Sequence, residues 1–158
     1  MKKEKTNAVR IMDRLGIAYT ARSYPCPEAL SATAIAEKLG ADPSRVFKTL
    51  VTRGRSGSHY VFMIPAREEL DLRKAASVTG EKSISMIRER ELLPLTGYVH
   101  GGCSPVGMKK QFPTYIHRTA EDCELIIFSG GRIGLQTECS LEELRKAQPV
   151  TAADITAD

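Results

Sequence analysis

Residues 44–65 are the part of the sequence that most restricts the fold. Two runs rich in β-branched and aromatic residues, SRVFKTLV and HYVFMIP, are separated by a short polar segment that contains GRSGS. Residues of these types suit a pleated, half-buried surface, and a short glycine-containing connection between two such runs is typical of a β-hairpin. The sequence therefore predicts two adjacent antiparallel strands.

The other segments alternate short predicted strands with short predicted helices. Further strands are predicted in IAYTARSY, EKSISMI, GYVH, PTYIHR, CELIIFSGG and RIGLQTEC. Helices are predicted over about residues 5–15, in SATAIAEKLG after the capping Ser31, in LDLRKAASVTG after Asp71, in RERELLPL as far as Pro94, and in SLEEL, where Ser140 and Glu143 form a predicted capping box. Because short strands outnumber helices and hairpin-like connections are frequent, we expect an α+β fold with a mixed, mostly antiparallel sheet flanked by helices.

Length and composition limit the class of protein. The 158 residues are 42% hydrophobic and 27% charged, which suits one domain over residues 1–158 with a substantial core. No apolar run is long enough to cross a bilayer, and the basic N-terminus lacks the apolar core of a signal peptide, so we expect a cytoplasmic protein with no membrane partner. The net charge of +4 favours approach to a polyanion such as RNA.

The four cysteines are scattered along the chain and form no C-x-x-C pair; they are Cys26, Cys103, Cys123 and Cys139. Structural zinc sites usually take their ligands in close pairs, and the three histidines do not supply such pairs, so no metal site is expected. The thiols are expected to be reduced and to pack as small hydrophobic groups.

A charged residue, Lys48, lies in the middle of the first hairpin strand. It shares a face with Val46 and Leu50, because successive side chains in a strand point to opposite faces. A long amine can extend its head group to water at a sheet edge. An ammonium group buried on this face would instead need an anionic partner or would lose its proton. The position therefore indicates a pocket that receives an anion or developing negative charge.

Two glycine-rich loops carry the remaining candidate residues. The first, GGCSPVG, places three glycines around a serine and a proline; the residues are Gly101, Gly102, Gly107, Ser104 and Pro105. The second, SGGRIG, begins with Ser129, Gly130 and Gly131. Backbone N–H groups of such loops can bind an anionic oxygen, but each segment taken alone is more typical of a tight turn. The first loop has the spacing of neither a Walker loop nor a dinucleotide-binding loop, and no motif of a protein nucleophile with its base stands out.

Taken in this order, VFKTLV, GYVHGGCSPVGMKK and IIFSGGRIGL resemble the YbaK/EbsC family of aminoacyl-tRNA deacylases, which is related to the inserted editing domain of bacterial prolyl-tRNA synthetases. The resemblance extends over nearly the whole chain. It implies a single α+β domain with a central, partly barrel-like sheet and an enzyme that removes cysteine mischarged onto the proline tRNA without a cofactor. The implied partners are the mischarged aminoacyl-tRNA and, transiently, prolyl-tRNA synthetase; DNA is not expected.

The resemblance also implies roles for individual residues. The family's essential lysine falls on Lys48, which with Gly101 is expected to be catalytic. The implied substrate-binding residues are Tyr24, Thr49, Gly102, Ser104, Pro105, Gly107, Ser129, Gly130 and Gly131. In YbaK-type enzymes the thiol of the substrate is thought to attack the ester, so the protein needs no nucleophile of its own.

Two positions depart from the family pattern. Ser31 or Ala32 stands where YbaK-type enzymes carry an aromatic residue, and Gln136 stands where they carry an acidic one. Both positions line the pocket in the family, so the identity of the amino acid removed stays open. One alternative is a deacylase that uses water on another small aminoacyl-tRNA, such as alanine on the proline tRNA. The other is a non-catalytic module that binds tRNA or prolyl-tRNA synthetase; the intact Lys48 and both glycine loops favour an enzyme.

Overall fold

The computed structural model describes residues 5–26 and 28–157; residues 1–4, Pro27 and Asp158 of the expected domain 1–158 lie outside the described residues. The described part contains five α-helices: α1 (Asn7–Arg14), α2 (Ala32–Leu39), α3 (Leu72–Thr79), α4 (Glu89–Thr96) and α5 (Leu141–Ala147). It contains eight strands: β1 (Thr20–Ser23), β2 (Phe47–Gly54), β3 (His59–Pro65), β4 (Ile84–Met86), β5 (Thr114–His117), β6 (Ile126–Arg132), β7 (Leu135–Cys139) and β8 (Thr151–Ala153).

Capping residues fix the ends of α2 and α3, as the sequence predicts. The Ser31 hydroxyl accepts a hydrogen bond from the Ala34 N–H, and α2 ends at Gly40 with a left-handed φ of 64°. The Asp71 carboxylate accepts from two N–H groups in the first turn of α3, which ends at Gly80 with φ 78°. These side chains satisfy N–H groups that have no partner inside the helix, and glycine adopts the left-handed cap without a Cβ penalty.

Two predictions about helix ends are wrong. Helix α4 continues past Pro94 to Thr96 and ends at Gly97, whose φ is 84°, so the proline removes one helical N–H without ending the helix. The Ser140 hydroxyl caps α5 as predicted, but the Glu143 carboxylate does not return to the cap. It accepts instead from the Ala18 N–H at 2.7 Å and from the Lys146 ammonium.

The segment GYVH, predicted as a strand, is a loop. After Gly97 the chain turns back on the end of α4, because the Tyr98 N–H donates to the Thr96 hydroxyl at 3.0 Å. The Tyr98 hydroxyl donates to the Val106 carbonyl at 2.6 Å, across the glycine-rich loop. The buried aromatic ring that suggested a strand therefore holds the two ends of this loop together.

The strands form two sheets instead of one central sheet. The smaller has the order β1-β7-β6 and the larger β4-β2-β3-β5-β8. Four pairs are antiparallel, and two pairs, β3 with β5 and β5 with β8, are parallel. The mixed, mostly antiparallel α+β prediction is confirmed. A single parallel bridge between Val46 and Ile127 connects the sheets, which do not close into a barrel.

Both faces of the β2–β3 hairpin are covered by apolar residues. On one face Phe47 and Val51 belong to a core that includes Met12 of α1. On the other face Phe62 and Ile64 pack with the alanines of α3. A strand buried on both faces reads as a nearly continuous apolar run, which is what HYVFMIP shows. In the described ranges, no helix has the length and apolar character needed to span a membrane.

Candidate active site

A cavity of about 570 Å³ lies where the edge of β2 has no partner strand. The start of β2 is bridged to β6 through Val46 and Ile127, and the end of β2 pairs with β4 from Thr52 onward. Strand β6 does not follow β2 further, because the β6–β7 ladder is irregular between Ser129 and Arg132. An irregularity of this kind bends a strand away from its neighbour. The failure of the sheets to close thus produces the cavity.

The open edge presents main-chain groups of Thr49 to this cavity. The Val46 carbonyl accepts from the Ala66 N–H, beside β3, whereas the Val51 carbonyl accepts from the Ile87 N–H at 3.5 Å, beside β4. In antiparallel pairing, alternate residues direct their N–H and C=O groups to opposite sides of the strand. The N–H and C=O of Thr49 therefore point, like those of Val51, away from β3 and toward the cavity.

The side-chain hydroxyl of Thr49 has no hydrogen-bond partner among the described residues. Its Oγ1 is buried and, among the described residues, forms no hydrogen bond, although Thr49 lines the cavity. A buried hydroxyl without a partner costs free energy, on the order of 1–3 kcal/mol. Because Thr49 lines the cavity, a water molecule or a ligand that enters it can supply the missing hydrogen bond.

Lys48 lines the same cavity and is half-buried. Its Nζ donates to the Ala66 carbonyl at 3.2 Å. Burial lowers the pKa of the Lys48 ammonium, and the nearby Glu69 and Glu68 carboxylates oppose this effect. Within the described part of the chain, no carboxylate lies within 4.0 Å of the amine. A positive charge therefore stands beside the cavity with a neutral carbonyl as its hydrogen-bond partner.

The loop over residues 101–107 forms another wall, and its glycines allow close packing. Gly101 has φ +85°, and a Cβ there would lie 2.6 Å from the Cβ of Ala29, in the segment before α2. A Cβ on Gly102 would lie 2.8 Å from the Cα of Arg132. Glycine at these two positions therefore lets the loop contact both neighbouring segments directly.

The structure brings some of the predicted site residues together and places others outside the cavity. Lys48, Thr49, Gly101 and Ser129 line it. Tyr24 is one hydrogen bond away, since its hydroxyl accepts from Gln136 Nε2 at 3.4 Å. The remaining predicted residues do not line it; they are Gly102, Ser104, Pro105, Gly107, Gly130 and Gly131.

The predicted residues outside the cavity shape the two loops. The Ser104 hydroxyl is buried and accepts from the Val106 N–H at 3.1 Å. A Cβ on Gly107 would lie 2.9 Å from the amide of Asn7, and one on Gly130 would lie 2.7 Å from Leu135. The Gly102 N–H donates to the Val99 carbonyl at 2.9 Å, so it is not available to a ligand.

The positions that depart from the family pattern also line the cavity. Gln136 is 3% exposed and uncharged, and Ser31 and Ala32 contribute only small side chains to the wall. The Ser31 hydroxyl is occupied by its capping bond to the Ala34 N–H at 3.2 Å. The wall at the start of α2 is therefore formed by short side chains.

Sequence reasoning missed the wall formed by the end of β4 and the start of α4. Its members are Met86, Ile87, Arg88, Glu89 and Leu92, and His100 in the loop after α4 adjoins them. Glu89 and His100 lie at the exposed rim, where a carboxylate oxygen of Glu89 is 4.0 Å from His100 Nδ1. No local pattern marks these residues, because their position depends on how β4 pairs with the end of β2.

Cys103 lines the cavity but is a poor candidate for a nucleophile. It is 7% exposed, and burial raises the pKa of its thiol to about 12. The thiolate is the reactive form of cysteine, and activation normally requires a neighbouring base or positive charge. At neutral pH this thiol is therefore protonated and unreactive.

Comparison with known proteins identifies the family. The model of the aminoacyl-tRNA editing domain family matches residues 26–147. EbsC of Enterococcus faecalis, whose name proposes Cys-tRNA(Pro)/Cys-tRNA(Cys) deacylation, is 42% identical over 154 residues, 97% of this chain and 94% of that protein. A proline–tRNA ligase of Thermosipho melanesiensis is 28% identical over 82 residues, 52% of this chain but 14% of the ligase.

A solved structure agrees with this assignment at the level of the fold. A protein described as a proposed trans-editing enzyme for prolyl tRNA synthetase superposes with a TM-score of 0.84 at 24% identity, covering 99% of this chain and 100% of that chain. The family match and the EbsC comparison confirm the resemblance to this family, and the solved structure confirms the fold. The chain belongs to the aminoacyl-tRNA editing domain family, within its YbaK/EbsC group.

Proposed function

We propose that this protein is a trans-editing deacylase that removes cysteine mischarged onto tRNA(Pro). The observation that carries the proposal is a cavity whose described lining supplies a positive charge and an unpaired hydroxyl but no activated nucleophile. Lys48 provides the charge and Thr49 the hydroxyl, and Cys103, the thiol on the wall, is kept protonated by burial. The proposed unit is the domain over residues 1–158, acting in the cytoplasm where tRNA is charged.

The need for such an enzyme follows from the size of the amino acids. Cysteine and alanine are no larger than proline, so a proline-binding pocket cannot exclude them by size. A missing methylene changes discrimination by only about 1–3 kcal/mol, so a second, hydrolytic site is required.

The proposed reaction uses the substrate's own thiol. Its sulfur forms a bond to the ester carbonyl carbon, the bond from that carbon to the ribose oxygen breaks, and the thiol proton ends on the ribose oxygen. The acyl product is a β-thiolactone, which water opens to cysteine. Negative charge develops first on the carbonyl oxygen and then on the ribose oxygen, and the Lys48 ammonium stabilises either one electrostatically.

Gly101 is proposed to position the second wall of the site. Its contact with Ala29 sets the distance between the loop and the segment before α2. Small displacements of groups around a reacting centre can reduce rates by about 10²-fold. Ser129, Thr49 and Tyr24 are proposed to contact the substrate, Tyr24 through or beside Gln136.

A second candidate substrate is alanine on the same tRNA, with water as the nucleophile. The observation that favours it is the wall of small side chains at Ser31 and Ala32, together with the uncharged Gln136. In either case prolyl-tRNA synthetase is the proposed transient partner, since half of this chain matches a segment of a proline–tRNA ligase.

The test is a deacylation screen with cysteinyl-, alanyl- and seryl-tRNA(Pro), followed by analysis of the acyl product. Attack by the substrate thiol predicts fast clearance of cysteine, a thiolactone that can be trapped, and little clearance of serine. Attack by water predicts clearance of alanine or serine and only free amino acids as products. A protein that binds these tRNAs but clears none of them would be a binding module, which contradicts the proposal.

A further inference from the structure

We propose that the open edge of β2 binds the aminoacyl group through main-chain hydrogen bonds, so that one aminoacyl residue takes the place of the missing partner residue opposite Thr49. This inference rests on the proposed function and specifies how its substrate is recognised. The Thr49 N–H would donate to the acyl carbonyl, and the Thr49 C=O would accept from the α-amino group. The site would thus recognise an α-amino acid by its backbone atoms.

The length of the open edge fits one residue. On one side the bridge between Val46 and Ile127 occupies the edge, and on the other the Val51 carbonyl is bonded to the Ile87 N–H. Of the residues between Phe47 and Val51, only Thr49 directs both N–H and C=O to the open side, because the directions alternate. At about 3.3 Å per residue, the gap from Phe47 to Val51 is about 13 Å. A longer peptide would meet β6 or the start of α4.

The pairing geometry matches the chemistry of an aminoacyl ester. In an antiparallel pair, two residues opposite each other exchange both hydrogen bonds, N–H to C=O in each direction. An aminoacyl ester carries one acceptor, its carbonyl oxygen, and one donor, its α-amino group, on adjacent atoms of one residue. The Thr49 hydroxyl, buried and without a described partner, stands beside the same edge.

The charges around the cavity favour neutral acceptors for the amino group. Of the described residues that line it, only Glu89 is a carboxylate, and its side chain is 74% exposed at the rim. Gln136 is buried but neutral. The interior therefore offers neutral acceptors, among them the Thr49 carbonyl and the side-chain oxygen of Gln136, and these require an N–H or O–H donor on the α-carbon but no positive charge.

The experiment compares three esters on the same tRNA(Pro): cysteinyl, 2-hydroxy-3-mercaptopropionyl and 3-mercaptopropionyl. All three keep the thiol and the carbonyl. The second replaces the amino group by a neutral hydroxyl donor, and the third has no donor on the α-carbon. The enzymatic rate of each ester is divided by its uncatalysed rate, which removes differences in intrinsic reactivity.

We expect similar accelerations for the first two esters and a loss of about tenfold for the third, the size of one net hydrogen bond of about 1.4 kcal/mol. If the hydroxy ester loses as much acceleration as the third ester, the positive charge of the amino group is what the site recognises. If all three esters are accelerated equally, the site does not contact the α-substituent. Either result overturns the inference. If cysteinyl-tRNA itself is not cleared, the proposed function fails instead.

A protein variant tests the other half of the pairing. Proline lacks an N–H but is tolerated where that N–H faces away from the paired strand, so Thr49→Pro removes the proposed donor without removing a bond of the β2–β3 ladder. Thr49→Val removes only the hydroxyl. We expect Thr49→Pro, checked for its melting temperature, to slow all three esters more than Thr49→Val does. Equal effects of the two variants would contradict donation from the Thr49 N–H. If Thr49→Pro does not fold, the comparison of the three esters still tests the inference, because it uses the parent protein.

Discussion

Lys48 and Lys74 are both partly buried lysines, but their ammonium groups have different partners. Lys74, on α3, donates to both carboxylate oxygens of Asp154 at 3.2 Å and to the Thr156 carbonyl at 2.8 Å. Lys48, on β2, donates to the Ala66 carbonyl, and no described carboxylate is within ion-pair distance. A charge matched inside the chain stabilises the fold, whereas a charge without an ionic partner beside a cavity is available to a ligand.

The largest expected effect is the loss of activity when the Lys48 charge is removed. Lys48→Met keeps most of the aliphatic stem and should lower the rate of deacylation of the best substrate by about 10²-fold or more, because one electrostatic contact to the developing negative charge is lost. The matched control, Lys74→Met, should lower the melting temperature and leave the rate unchanged. Near-normal activity of Lys48→Met, or a comparable rate loss in Lys74→Met, would refute the distinction between the two lysines.

A smaller effect is expected for the cavity wall at Gly101, in the loop over residues 101–107. Gly101→Ala would place a methyl group 2.6 Å from the Ala29 Cβ, so the loop or the segment before α2 must move. We expect a rate loss of about tenfold or more, since misplaced walls misalign the ester. Gly57 is the control, because its φ of +97° is also left-handed but a Cβ there would meet no described atom within 4 Å. Gly57→Ala should therefore reduce stability alone; equal rates for the two variants would exclude a role for the Gly101 contact.

A smaller effect is expected on the pH at which activity falls. Burial lowers the pKa of Lys48 from 10.5, and Glu69 and Glu68 raise it. If the ammonium form acts, activity falls as the pH rises through this lowered pKa, and the double variant Glu68→Gln, Glu69→Gln should move the fall to lower pH. Glu37→Gln changes the same kind of charge on the exposed side of α2 and should not move it. The comparison uses deacylation rates corrected for spontaneous ester hydrolysis. A shift of the fall in activity to higher pH in the double variant would contradict the prediction.

The smallest expected effect is that of the cysteines. Cys103 and Cys139 are buried, and burial raises the pKa of each thiol to about 12. A protein with all four cysteines replaced by serine or alanine should therefore still clear cysteine and release thiolactone, at a rate close to that of the parent. Loss of all activity in Cys103→Ala, together with a trapped thioester in the parent, would make the protein a covalent enzyme.

The sequence predicts most of the fold where local chemistry decides it. The β2–β3 hairpin and the caps at Ser31 and Asp71 follow from residue types at fixed spacing, and the structure confirms them. GYVH was wrongly predicted as a strand because an aromatic residue buried in a loop is of the same residue type as those common in strands. Strand β8 was not predicted, because its three residues pair only with the distant β5 and have no pattern of their own.

The residues of the candidate site also divide into those that the sequence predicts and those that it does not. Lys48 could be selected from the sequence, since a charge on an apolar strand face is visible in a single strand. The wall formed by Arg88, Glu89 and His100 could not, because it depends on β4 pairing with only the end of β2. The open edge at Thr49 was also invisible, since it arises where two strands stop pairing with the same neighbour.

The most direct test of the account asks whether the charge at position 48, and not the shape of the side chain, is what the site requires. In the cysteine-free protein, Lys48→Cys can be alkylated with bromoethylamine, which restores an ammonium at nearly the length of lysine, or with iodoacetamide, which gives a neutral side chain of similar size. With complete modification verified by mass, the account predicts that aminoethylation restores deacylation of cysteinyl-tRNA(Pro) to near the level of the cysteine-free parent, while the neutral adduct remains about 10²-fold slower. Equal activity of the two adducts would contradict it.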